Sequence, residues 1–179
     1  MIRGSAIMVT LQPWHDVFLL VGTAAATLLG LVFVAASIAA TVPNEKLGDM
    51  GSRALWVLPI VYAFLRVLVV SAVGVIPGQT GRSFGDVLSV LAILDLGRLA
   101  WVTRGLTEHH RSREKLTATD WGWYVVYPSL ATALLAATGV CLAAGWAFPM
   151  AMLAVGMIGH MVVGVHNAWE LADWLATRQ

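Results

Sequence analysis

The sequence places ionisable side chains inside stretches that are otherwise apolar. Asp95 and Arg98 stand three residues apart in LAILDLGRLAW, and Arg66 lies in PIVYAFLRVLVV. Such groups exchange protons, bind ions or pair with one another. A charge left alone in the middle of a bilayer costs about 2.5–3.5 kcal/mol or more. These side chains are therefore predicted to pair across helices, and they mark the region where a function is expected.

A late stretch, GHMVVGVHNAWE, adds titratable and hydrogen-bonding groups. His160 and Asn167 are seven residues apart, so they fall on nearly the same face of a helix. His166 and Glu170 are four apart, a spacing that brings their side chains together and that can also hold two metal ligands. At His160, flanked by glycines, pairing with a neighbouring helix is favoured over metal ligation.

Five apolar stretches are long enough to hold these side chains within a membrane. Of the 179 residues, 59% are hydrophobic and 12% charged, and the mean hydropathy is +0.79. A bilayer core about 30 Å thick needs about 20 helical residues, and open strands are too costly in lipid. The sequence therefore predicts an all-α, polytopic membrane protein with five transmembrane helices in a single domain, 1–179. The spans are predicted at 17–40, 54–76, 84–103, 122–144 and 149–174.

Several features are predicted at the ends and inside the spans. The polar segment RGLTEHHRSREKLTATD is predicted to be a loop. Ser83 and Asp86 are predicted to form a capping box at the start of the third span, and Thr119 or Asp120 to cap the fourth. Prolines inside helices kink them, which is expected of those in the second and fourth spans, Pro59 and Pro128.

The basic residues predict an orientation. Five spans put the N-terminus and the turns PGQTGRS and GWAFP on one side, with Arg3 and Arg82. The opposite side carries seven Lys and Arg residues: Lys46, Arg53, Arg104, Arg111, Arg113, Lys115 and Arg178. Because cytoplasmic loops carry the excess of basic residues, the N-terminus is predicted outside and the C-terminus inside. Trp14 and Trp146 are then expected at the outer interface, and the other six tryptophans near the inner one.

Counting from the predicted cytoplasmic ends places the polar side chains in one slab between the bilayer midplane and the inner interface. We call this slab the polar layer. The formal charges of its two arginines and two carboxylates cancel, which is expected both of a static ion-pair network and of an ion path. Its members are Arg66, Asp95, Arg98, His160, His166, Asn167 and Glu170.

Small residues at helical spacing predict close helix packing. Gly22, Ala26 and Gly30 form a small-xxx-small face on the first span, and Gly156 and Gly164 flank His160 on the fifth. Packing within one subunit is the plainer interpretation of these faces, and a subunit interface is the sharper one. Since five helices enclose little interior, assembly into a homo-oligomer is expected.

The sequence contains no recognisable catalytic set. It has no P-loop, no glycine-rich nucleotide fingerprint and no HExxH motif, and its serines and single cysteine have no paired histidine. A bis-histidine haem needs histidines at one depth on facing helices, but only the fifth span carries them. We therefore predict no metal, no cofactor and no nucleic-acid partner at a net charge of +1, and an enzyme is the less expected class.

The pattern WHDVFLLVGTAAATLLGLVFVAASIA, followed by PGQTG and a late NAWEL, resembles a family of small bacterial multi-pass membrane proteins. Members of that type begin with Trp-His-Asp and a small-residue first span. The resemblance covers spans one, two and five. It implies a bacterial origin and an inner-membrane location, and it carries over no activity and no catalytic residue.

Three functions stay open on the sequence. The leading hypothesis is passage of a small ion or proton through the polar layer, with His160 as the pH-sensitive member. The alternative is a non-catalytic module that binds or regulates a partner membrane protein through its first span, in which case Ala26→Leu breaks the complex and leaves any flux intact. The third is a metal- or haem-dependent membrane enzyme, which a colourless, metal-free purified protein would argue against.

Overall fold

The computed structural model describes residues 11–41, 50–112, 116–146 and 150–177, with side chains described in 11–37, 56–111, 116–146 and 150–173. Within these ranges the chain is helical apart from short turns, and no strand occurs. This confirms the all-α prediction. After a 3₁₀ turn at Gln12–Trp14, the elements are α1 (His15–Thr41), α2 (Met50–Gly74), α3 (Gly81–Ser112), α4 (Ala118–Trp121), a π-helical turn (Gly122–Val126), α5 (Tyr127–Ala143) and α6 (Met150–Thr177).

The third helix extends further than the sequence predicts. It continues past Thr103 to Ser112, so residues 104–112 are helical and the predicted loop is shorter. The extension is held by tertiary contact, because Leu106 is buried in an apolar cluster with Val102 and Tyr124. Because the residues around Leu106 are mostly polar, the local composition does not predict this contact.

The caps that begin α3 and α4 also differ from the prediction. At α3, the Ser83 backbone N–H donates to Thr80 Oγ1 at 3.1 Å and the Thr80 N–H donates to Ser83 Oγ at 3.2 Å, so the cap is Thr80 and Asp86 takes no part. At α4, Thr117 is the cap and Asp120 its reciprocal partner in a capping box. Both helices therefore begin earlier than predicted.

The break between α4 and α5 accommodates a proline. Proline has no N–H and its ring clashes with the carbonyl four residues back. Just before Pro128 the chain makes a π-helical turn, in which the Tyr127 N–H bonds to the Gly122 carbonyl five residues back. The helix thus widens for the length of one turn and then continues. Pro59, by contrast, lies inside the continuous helix α2.

Four helices form a closed ring, with the fifth long helix outside it. Around the ring the order is α2, α6, α5, α3, and α3 closes on α2, while α1 packs mainly on α2. Neighbours in the ring run antiparallel. Gly85, near the start of α3, lies against Gly139 near the end of α5, and an added Cβ there would come within 2.7 Å of the Gly139 carbonyl oxygen.

Two apolar clusters fill the two ends of this ring. We call the end with the α2–α3 turn the turn end, where Phe18 and Phe84 meet edge to face at 5.7 Å. The opposite, aromatic end holds Tyr124, which meets Trp56 edge to face at 5.0 Å. Trp14 packs on the turn-end cluster, and Trp56, Trp121 and Trp123 pack on the aromatic-end cluster. Their positions at the outer and inner membrane interfaces stay a prediction.

Four helical stretches are long and apolar enough to cross a membrane by length and composition: Gln12–Ser37, Trp56–Gly74, Ala118–Ala143 and Met150–Asp173. They match four of the five predicted spans. The third predicted span is not among them, since α3 carries Asp86, Asp95 and Arg98 within its apolar part. Several basic residues behind the predicted orientation lie outside the described residues, namely Arg3, Lys46, Arg113, Lys115 and Arg178.

Candidate functional site

One buried carboxylate joins three helices. Asp95, on α3, is 1% exposed. Arg66 of α2 pairs with its Oδ2, and Thr132 of α5 donates a hydrogen bond to the same oxygen. Arg98, one turn further along α3, donates its Nε–H to Asp95 Oδ1 at 2.8 Å. The structure thus brings Arg66 beside Asp95, as antiparallel neighbours predict, and we call these four residues the charged cluster.

The two arginines of the charged cluster are themselves largely withdrawn from the surface. The side chain of Arg66 is 8% exposed and that of Arg98 is 12% exposed. The Arg98 guanidinium also lies 5.7 Å from the centre of the Tyr62 ring, within the range of a cation–π contact. Arg98 therefore turns inward towards Asp95, with an aromatic ring on its outer side.

Two buried polar side chains of α6 carry polar atoms with no hydrogen-bond partner among the described residues. His160 is 1% exposed and its Nε2 is unpaired, and Asn167 is 0% exposed with both Oδ1 and Nδ2 unpaired. His160 lies within electrostatic range of Arg66, Asp95 and Arg98. Buried polar atoms in folded proteins are normally satisfied by protein or by water. These groups therefore require an explanation, as do Ser71 Oγ and Gln79 Oε1, which are also unpaired.

Two glycines, Gly156 and Gly164, flank His160 on α6 one turn to either side. An added Cβ at Gly164 would come within 2.8 Å of the Phe64 ring on α2, and one at Gly156 within 3.2 Å of the Ala131 carbonyl oxygen on α5. The missing side chains let both neighbouring helices approach α6. The small-residue face predicted on the last span is therefore a packing face within one subunit.

The small-residue face predicted on the first span is divided. Gly22 packs against α2, where an added Cβ would come within 2.6 Å of the Ser71 Cβ. Ala26 and Gly30 are exposed, and nothing lies within 4 Å of a Cβ built on Gly30. Within the subunit, α1 packs through Gly22 and Ala25. The other half of the face points outward, and a homo-oligomer or partner protein at that half stays a prediction.

His166 and Glu170 form a separate pair, away from the charged cluster. His166 Nε2 lies 3.0 Å from Glu170 Oε1, and both side chains are about one-third exposed, at 30% and 34%. The Trp123 ring, in the π-helical turn, stacks on the His166 ring with centroids 3.7 Å apart. Glu170 therefore pairs one turn back on its own helix, as the i, i+4 spacing predicts, and the formal charge balance of the polar layer stays a prediction.

Thr132 is the functional residue that sequence reasoning misses. Small hydroxyl residues in apolar helices commonly bond the carbonyl four residues back, as Ser89 and Ser129 do here. Thr132 instead reaches across to α3. Nothing in the letters around it, SLATALL, distinguishes the two behaviours, so only the fold reveals its role.

The other histidines have structural surroundings. His110 Nδ1 accepts a hydrogen bond from the Leu116 backbone N–H at 2.9 Å, and the His109 ring meets Trp56 edge to face. Across the described part of the chain, no three His, Cys, Asp or Glu side chains come close enough together to hold a metal ion. The charged cluster, with the unpaired Nε2 of His160 in electrostatic range, is consequently the strongest candidate site.

Comparison of the chain with protein-family models, with curated proteins and with solved structures finds no match. The function must therefore be argued from the geometry of this site.

Proposed function

We propose that the chain crosses the membrane five times, with α3 as the third span, the N-terminus outside and the C-terminus inside. Support comes from the packing of α3 along α5, with Gly85 against Gly139 at the turn end and Leu106 beside Tyr124 at the aromatic end. Two helices in contact along their length occupy the same depth. If α5 spans the membrane, α3 therefore spans it at the same depth.

The outer surface of α3 favours the same topology. Its large apolar side chains at Val90, Ile93, Leu94 and Leu96 are exposed in the subunit. In water such a face would be costly, whereas in lipid it needs no cover. Of the charges within its apolar part, Asp95 and Arg98 turn into the ring and pair there, whereas Asp86 is exposed near the start of α3.

Within this topology we propose that the protein moves a small ion or proton across the membrane by way of the polar layer. The observation that carries the proposal is the unpaired polar atoms of two buried side chains on α6. His160 lies within electrostatic range of the charged cluster, and Asn167 lies seven residues further along the same helix. Each unsatisfied buried group costs about 1–3 kcal/mol. A network that only fixed helix register would gain from apolar residues at both positions, so their presence favours a role in binding or conduction.

The charged cluster lies between the two apolar clusters of the ring. Phe18, Phe84 and Leu88 fill the turn end, and Tyr124 and Leu106 fill the aromatic end. An ion can reach the charged cluster only if one of these apolar clusters opens. Transport is accordingly expected to proceed by gating around an enclosed site, as in carriers, and not through a standing water-filled pore.

The test is ion flux through the purified protein in liposomes, with gradients of H⁺, K⁺ and Cl⁻ imposed in turn. Wild-type protein is expected to dissipate at least one gradient faster than empty liposomes. Asn167→Leu is expected to slow that flux by about tenfold for every 1.4 kcal/mol of lost ion stabilisation. Its unfolding midpoint should stay the same or rise, because two unpaired polar atoms are removed.

Val155→Ala, on the lipid-facing side of the same helix, is the control and should leave the flux unchanged. Wild-type liposomes that hold all three gradients as well as empty ones would refute the proposed transport. Flux that Asn167→Leu does not alter would show that the ion takes another route.

A further inference from the structure

The charged cluster carries one more positive charge than negative. Among the described residues, the charged groups that act on His160 are Arg66, Asp95 and Arg98, and those that act on Arg66 are Asp95 and Arg98. An arginine side chain stays protonated under all ordinary conditions. Two guanidinium groups therefore share a single carboxylate, and Glu170 is held by His166 elsewhere.

The arginines also keep hydrogen-bonding capacity. A guanidinium has five N–H donors, yet to Asp95 each makes one hydrogen bond, Arg66 through Nη1 and Arg98 through Nε. The two-nitrogen fork that arginine forms with a carboxylate is absent at both. His160 adds an unpaired ring nitrogen in electrostatic range of the same groups.

An excess charge in a low-dielectric interior is costly unless a counter-charge meets it. Water can satisfy the spare donors, but it does not neutralise the charge. The cluster lacks one negative charge, and the side chains of Arg66, Arg98 and Asp95 are almost completely buried. Both facts select a small monovalent anion over a cation, a divalent anion or a bulky organic acid.

We infer that the charged cluster binds one small monovalent anion of the halide class, held by the spare donors of Arg66 and Arg98 beside His160. This inference rests on the proposed function and deepens it, because it names the ion that the polar layer accepts. Asp95 then sets the charge of the site: it cancels one arginine and leaves the other for the anion.

The test compares the thermal unfolding midpoint of the purified protein in detergent as sodium chloride replaces sodium gluconate at constant ionic strength. Since a ligand that binds only the folded state raises its stability, chloride is expected to raise the wild-type midpoint by a few degrees and to saturate. Arg98→Gln, which leaves the Arg66–Asp95 pair intact, should abolish the response. Arg98→Lys, which restores the charge, should regain most of it.

Arg104→Gln is the matched control, since Arg104 is an exposed arginine on the same helix, and it should respond as the wild type does. An unresponsive wild-type midpoint, or an equal response in Arg98→Gln, overturns the inference. So does a midpoint raised by phosphatidylglycerol and not by chloride, because a lipid phosphate would then meet the charge.

The two proposals fail separately. Chloride binding without any ion flux would disprove transport and leave a structural anion site. Flux of protons or K⁺ without a chloride response would disprove the anion site and leave transport standing.

Discussion

Asp95 is the residue whose buried contacts link three helices of the ring. Its two oxygens receive Arg66, Arg98 and Thr132 from three helices. Breaking a buried ion pair by removing one partner costs about 3–5 kcal/mol, since the other charge is left unpaired. Variants of Asp95 itself therefore report mainly on folding, and milder changes around it are more informative.

Thr132→Val tests the cross-helix hydrogen bond without changing the shape of the side chain. The variant leaves one acceptor of a buried carboxylate less satisfied, so the free energy of unfolding is expected to fall by about 1–3 kcal/mol. Thr132→Ser keeps the hydroxyl and should lose less. Unfolding in mixed micelles, followed by circular dichroism, measures the difference.

Thr103→Val serves as the control for Thr132→Val. Its hydroxyl bonds only the Leu99 carbonyl of its own helix, at 2.7 Å, so its loss should stay within about 0.5 kcal/mol. If both variants lose equally, the contact between Thr132 and Asp95 contributes no special stability.

At the residue scale, the sequence predicts that buried charges pair with one another better than it predicts which hydrogen-bond partner a polar side chain finds. The pairing of Arg66 with Asp95 follows from antiparallel neighbours and from the cost of an isolated charge in lipid. The role of Thr132 and the unpaired state of His160 do not follow, because each depends on which helix lies opposite. Glu170 pairs with His166 at i, i+4, as that spacing predicts, and not with either arginine.

At the element scale, the contact between α3 and α5 depends on two facing glycines. A Cβ on Gly85 would lie 2.7 Å from the Gly139 carbonyl oxygen and 2.8 Å from the Ala143 nitrogen. Both are backbone atoms and cannot rotate away. This crossing holds α3 and α5 together at the turn end, and through them it aligns Asp95 with Thr132.

Gly85→Ala is expected to lower the free energy of unfolding by about 1–3 kcal/mol, because overpacking forces the two backbones apart. Gly97→Ala is the matched control on the same helix, where nothing lies within 4 Å of the added Cβ. That variant should gain up to about 1 kcal/mol from helix propensity. Equal effects in the two variants would contradict a close crossing at Gly85.

The elements themselves are largely predictable, and their ends are less so. Apolar length predicts the cores of all five long helices. The end of α3 is missed because Leu106 becomes apolar core only when Tyr124 packs on it. The caps at Thr80 and Thr117 are missed because several Ser, Thr and Asp residues compete for each helix start.

At the scale of the whole molecule, the helices have two levels of organisation. Four helices form a ring that encloses the charged cluster between two apolar clusters, and α1 lies outside it. Apolar length with few charges selects four spans and omits α3, because Asp86, Asp95 and Arg98 lie within its apolar part. The central claim is that α3 nevertheless crosses the bilayer and holds Asp95 within it.

Cysteine labelling across α3 tests that claim most directly. In a Cys141→Ala background, Pro77→Cys marks the turn before α3 and Thr107→Cys marks its far end, both at exposed positions. A membrane-impermeant maleimide added to intact spheroplasts should label Pro77→Cys at once and Thr107→Cys only after permeabilisation. The reversed pattern would keep five spans and overturn the orientation, whereas labelling of both from one side would show that α3 does not cross and would contradict the account.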